Sequence, residues 1–61
     1  MTREEAIKYL EMMVDEYGAN FHPDDWFPKT FQKGVNKCFK VLGDEIYEIS
    51  LKLIDESTKS V

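Results

Sequence analysis

Four side chains in this 61-residue chain could do chemistry together: His22, Asp24, Asp25 and Cys38. The first three lie in NFHPDDWFPKTF, Asn20 to Phe31, which holds the single His, the single Trp, both prolines and four aromatic side chains. A His beside two carboxylates suits a metal site or an acid/base couple, and a thiol brought near would be a nucleophile. The spacing argues against each. Zinc sites pair Cys and His ligands at recurrent short intervals, whereas Pro23 stands between the candidates here and stiffens them apart. Cys38 shares an apolar helical face with Val35 and Phe39, where a thiol is buried and inert. HExxH, CxxC and glycine-rich phosphate loops do not occur, and so short a chain leaves little room for a concave pocket. The expectation is a protein that is not an enzyme, with no catalytic, cofactor-binding or metal-binding residues.

The same stretch has a structural reading. Pro23 followed by Asp24 and Asp25 resembles the first turn of a helix, with the ring presetting φ and the carboxylates meeting unpaired N–H groups. Phe27 precedes Pro28, which discourages continuation of that turn. The stretch then turns Phe21, Trp26 or Phe27 inward as a plug over the first and third helices, because a domain this small needs the apolar area. An aromatic left outside, Trp26 or Phe27, would serve as an anchor for a partner.

Composition sets the frame. The chain is 43% apolar and 33% charged, too apolar for disorder and ordinary for one folded domain, residues 1–61. One Cys excludes an internal disulfide and fits a reducing compartment. The charged start MTREEAIKYLEMM and the lack of a membrane-length run predict neither a signal peptide nor a span, hence a cytoplasmic protein without a membrane partner.

Helical spacing predicts three elements. Helix 1, about 3–17, has Thr2 and Glu5 as a capping box and Gly18 at its end. Its inner face is Ala6, Ile7, Leu10, Met13, Val14 and Tyr17, with Met12 pointing elsewhere. After a loop, 18–29, helix 2 covers about 30–42 and starts at Thr30 or the Pro28 turn. Phe31, Val35, Cys38, Phe39 and Leu42 share one face, and Gly34 admits the close approach of another helix. Helix 3, about 44–57, starts from Asp44 as N-cap, and the tail ESTKSV frays. The fold class is all-α, a small three-helix bundle with a long aromatic-rich loop, possessing at most one short helical turn, between helices 1 and 2.

Charge is segregated along the chain. Residues 1–19 carry net −3, residues 26–43 net +4, and residues 44–61 net −3, which with Asp24 and Asp25 makes −4 overall. Lys29, Lys33, Lys37 and Lys40 form a basic face that could meet phosphate or an acidic partner. VLGDE resembles a helix-turn-helix turn, but the following helix opens with Asp44, Glu45 and Glu48 and would drive carboxylates into the groove. Nucleic acid is therefore not the expected partner. The ten carboxylates of helices 1 and 3 could equally mimic nucleic acid and block a basic partner.

Apolar surplus decides among these readings. The apolar residues of helix 3 spread over roughly 200° of its wheel, more than a one-sided helix needs. Tyr47, Leu51 and Ile54, with Met12, Trp26 and Phe27, are the predicted protein-interface residues. The expected function is that of a non-enzymatic, acidic interaction module, a homodimer or a regulator bound to a larger protein. The alternative is a nucleic-acid binder through the lysine face, or the acidic mimic.

Overall fold

The computed structural model describes residues 1–59, and among these it contains three α-helices and no strand. Helix α1 is Arg3–Tyr17, α2 is Lys29–Leu42 and α3 is Glu45–Lys59, with a short 3₁₀ turn at Gly18–Asn20. This is the small all-α three-helix fold that the spacing predicts.

Helix α1 starts on the expected capping box. Thr2 Oγ1 accepts from the Glu5 N–H at 3.2 Å, and the Thr2 N–H donates to Glu5 Oε1 at 2.9 Å. These bonds hold the Glu5 carboxyl below its ordinary range. Gly18 and Gly43 follow α1 and α2 with φ of 65° and 57°, a conformation that costs a side chain dearly.

Helix α2 starts from the Pro28 turn, one of its two expected signals, while the start of α3 differs from expectation. Thr30 caps nothing, because α2 already begins at Lys29, with Pro28 in extended conformation accepting from the Gln32 N–H at 2.8 Å. Asp44 makes no side-chain cap among the described residues. Instead Ile46 N–H reaches Gly43 O at 3.2 Å and Tyr47 N–H reaches Asp44 O at 3.3 Å. These i→i+3 bonds tighten the first turn in place of a side-chain cap. Nor does the tail fray at Glu56. Helix α3 runs to Lys59, where Lys59 and Asp55 pair at 3.0 Å across one turn; residues 60–61 of the expected fraying segment lie outside the described residues.

The core follows the predicted faces. Ala6, Leu10, Met13 and Val14 of α1 meet Val35, Cys38 and Leu42 of α2 and Ile46 of α3, closed by Phe21. Cys38 is fully buried, with its thiol against the Ala6 carbonyl oxygen at 3.5 Å. Burial pushes that thiol up, so it stays protonated and inert at neutral pH. Gly34 does admit a close neighbour, and the neighbour is the Tyr9 ring of α1. The Tyr9 hydroxyl donates to Phe31 O at 3.2 Å, and its burial raises the phenol above its ordinary value. At the edge of the fold Arg3 and Glu45 pair through both guanidinium nitrogens and tie the start of α1 to the start of α3. No helix is long and apolar enough to cross a membrane, among the described residues.

Candidate functional site

Residues 21–28 cross the bundle as a strap whose side chains divide sharply between inside and outside. Phe21 and Pro23 are buried. Phe27 is half-buried, its ring 5.4 Å from Tyr17 and 5.7 Å from Phe21, so it belongs to the plug and not to an exposed anchor. Trp26 is 96% exposed. A reverse turn closed by Asp25 N–H to His22 O at 3.0 Å produces this division. Pro23, Asp24 and Asp25 form that turn rather than the start of a helix, and the 3₁₀ turn lies before them at Gly18–Asn20.

The carboxylate of Asp24 has a different job from capping. It accepts from the Tyr47 hydroxyl at 2.8 Å and so pins the strap to α3. That hydrogen bond raises the Tyr47 phenol above its ordinary value, since ionising it would set two anions together. His22 is exposed, with Nδ1 accepting from the Asp24 N–H at 3.1 Å and its ring 6.2 Å from Tyr47. Cys38 lies in the core, so the thiol and the imidazole have no shared opening. Among the described residues no three His, Cys, Asp or Glu side chains converge as a metal site.

Beneath the strap is a cavity of about 80 Å³. Phe21, His22 and Pro23 wall one side, and Tyr47, Leu51 and Ile54 of α3 the other. Its origin lies in Ser50, which stands among the α3 lining residues and is only 2% exposed. On a wheel of about 100° per residue, position 50 falls midway between Ile46 and Ile54, at the centre of the apolar arc. A core helix normally sets a large side chain there, and a serine leaves the space unfilled. The Ser50 hydroxyl is buried with no hydrogen-bond partner among the described residues, a condition that costs on the order of 1–3 kcal/mol.

The predicted interface residues thus separate. Leu51, 68% exposed, and the half-buried Tyr47 and Ile54 frame one opening; Trp26 is on the strap but is not among the residues that line it. Met12, 41% exposed, is on α1 and lines no part of it. Carboxylates stand near the lining residues: Asp24 bonded to Tyr47, Asp25 next to it on the strap, Asp44 close enough to act on the Tyr47 phenol, and Glu48 and Asp55 within about 60° of Leu51 on the α3 wheel. Of these, Asp55 is paired with Lys59.

Lys29, Lys33, Lys37 and Lys40 are all exposed along α2 and join no ion pair among the described residues. Lys37 and Lys40 border an open groove of about 360 Å³ with Met1, Glu5 and Val41. Another open groove, about 300 Å³, runs between α1 and α3 past Glu11, Asp15 and Glu56. Sequence spacing alone did not point to Ser50 or Pro23 as site residues, although the place of Ser50 within the α3 arc was a readable signal. No family model, curated protein or solved structure matches this chain, and the site is read from its own residues.

Proposed function

We propose that this protein is a non-enzymatic interaction module that engages another protein through the strap and the adjoining flank of α3. The observation that carries this reading is a 68% exposed Leu51 at a small apolar cavity between strap and helix, with a 96% exposed Trp26 on the same strap. A domain short of apolar area gains nothing for its own stability by holding an indole in water, whereas tryptophan is among the residues that dominate binding hot spots. The non-enzymatic part rests on His22 and Cys38, of which one is spent on a turn and the other buried without access. The lone reduced thiol fits a cytoplasmic setting. In this reading the protein regulates a larger partner or pairs with a second copy of itself.

The test is affinity capture from the source cell with the intact chain and three variants, each checked for helicity by circular dichroism. Trp26→Ala and Leu51→Glu should lose a partner that Lys33→Glu retains. Retention by all three alike refutes the proposed surface. Loss only with Lys33→Glu would move the site to the lysine face, the reading favoured by its unpaired ammonium groups; steep weakening by salt in a mobility-shift titration would then identify phosphate as the ligand.

A further inference from the structure

We propose that the cavity between the strap and α3 receives a branched aliphatic side chain, a leucine or isoleucine, from a positively charged segment of the partner. This rests on the interaction reading above and names the chemistry that the same face selects.

Size comes first. A cavity of roughly 150 Å³ lined by aliphatic and aromatic groups admits benzene, and this one has about 80 Å³. It is too small for an aromatic ring and large enough for the end of an aliphatic side chain. Phe21, Pro23, Leu51 and Ile54 supply an apolar wall on both sides. The strap holds its position through the Tyr47–Asp24 hydrogen bond and the buried Phe21, so the opening is already formed before anything enters. Ser50 keeps it empty from within.

Charge then selects the segment that carries the anchor. The opening is bordered by Asp24, Asp25, Asp44, Glu48 and Asp55, of which Lys59 offsets one. On the α3 wheel Lys52 falls about 100° from Leu51, beyond Glu48 and on the Glu45 side, and it helps lower the Glu45 carboxyl. A net negative border favours lysine and arginine on either side of the anchor, giving orientation and speed of encounter.

A second copy fits poorly. A two-fold pairing through this face would set the acidic border against itself. A head-to-tail pairing would bring in the lysine face of α2, but that contact does not close as a dimer.

The experiment uses the full chain, isotopically labelled, and three synthetic helical peptides of equal length. The first presents one leucine flanked by lysine and arginine, the second has alanine in place of the leucine, and the third has glutamate in place of the basic residues. The first peptide should move the amide resonances of Tyr47, Ser50, Leu51, Ile54 and His22, and added salt should weaken it. The alanine peptide should bind about tenfold more weakly, a difference of about 1.4 kcal/mol. Ser50→Leu, which fills the cavity from inside without changing the border, should remove the leucine preference. Should that variant fail to fold, Leu51→Lys on the exposed flank should abolish binding of the basic peptide.

Equal binding of the leucine and alanine peptides overturns the anchor. A glutamate peptide that binds this face as well as the basic one overturns the charge preference while leaving the interaction surface standing. If no peptide moves these resonances at millimolar concentration the proposal is lost. A concentration-dependent dimer that Leu51→Lys dissolves also overturns it, in favour of self-association. The broader reading fails separately, when capture from the cell is indifferent to Leu51→Glu.

Discussion

Gly34→Ala offers a quantitative test of how α1 and α2 meet. In an exposed helix the substitution would stabilise by about 1 kcal/mol, because glycine is the poorer helix former. Here a Cβ on Gly34 would stand 2.5 Å from Tyr9 Cε1, with Cζ and the hydroxyl nearer still. The ring is half-buried and its hydroxyl donates to Phe31 O, so it cannot step aside freely. Overpacking of this kind costs about 1–3 kcal/mol, and a displaced ring forfeits a hydrogen bond worth about 1 kcal/mol. Against the gain in propensity, the net expectation is a loss of about 1–3 kcal/mol, with Tm falling by about 4–8 °C for each kcal/mol in a domain of this size. Tyr9→Leu removes the offending atoms. In that background Gly34→Ala should become stabilising by up to about 1 kcal/mol. Urea unfolding of the four proteins, followed by far-UV circular dichroism, completes the cycle. A higher midpoint for Gly34→Ala with Tyr9 present, or the same change in both backgrounds, would refute the reasoning.

Three further outcomes can be checked on the same material. Ser50→Ala deletes a buried hydroxyl without a partner among the described residues and should stabilise by about 1–3 kcal/mol in the same urea assay; a loss of stability would mean that the hydroxyl is satisfied in solution. The Tyr47 phenol is raised in the folded state by its bond to Asp24, so the stability it lends is complete below its ordinary value of about 10 and disappears as pH climbs through the raised one. At the acid end Arg3 holds the Glu45 carboxyl down, and that contribution is present above the usual carboxylate range and lost as pH drops through the lowered value. Tyr47→Phe should reduce the alkaline loss, of which the raised Tyr9 phenol and Cys38 thiol keep a share, and leave the acid one intact, measured as unfolding midpoint against pH. Cys38, buried and protonated, should react with a thiol reagent only as fast as the chain opens, so that denaturant accelerates the reaction; rapid modification of the native protein would contradict the packing.

Much of the fold was legible because it depends on local rules. The Thr2–Glu5 capping box, the terminal glycines and the apolar faces of α1 and α2 are written within one or two turns of helix, and each is found in place. What escaped depends on contacts distant in sequence. Tyr9 lies at the margin of the α1 apolar arc, and only the glycine on α2 reveals that its ring is the close neighbour. Asp24 looked like a helix-capping acid, since local sequence carries no sign of Tyr47, twenty-three positions onward, as its partner. The division of the strap into Phe21 and Phe27 inside with Trp26 outside follows from a single reverse turn, and three adjacent aromatics do not reveal which one the turn ejects. Ser50 could have been read from the wheel. A serine in an apolar arc carries no local sign of the space it leaves, which depends on Phe21 and Pro23 across the strap.

The solvent-facing indole has a practical consequence for anyone measuring this protein. Trp26 is the sole tryptophan and is already in water when the chain is folded, so unfolding changes its surroundings little. Its emission should be nearly blind to denaturation, and a flat fluorescence trace would be mistaken for extreme stability. The three tyrosines, all half-buried, report folding instead. What the tryptophan would register is a partner arriving, as its emission moves to shorter wavelength when the ring leaves water. One molecule therefore carries two separate optical channels, tyrosine for the state of the fold and tryptophan for the occupancy of its surface.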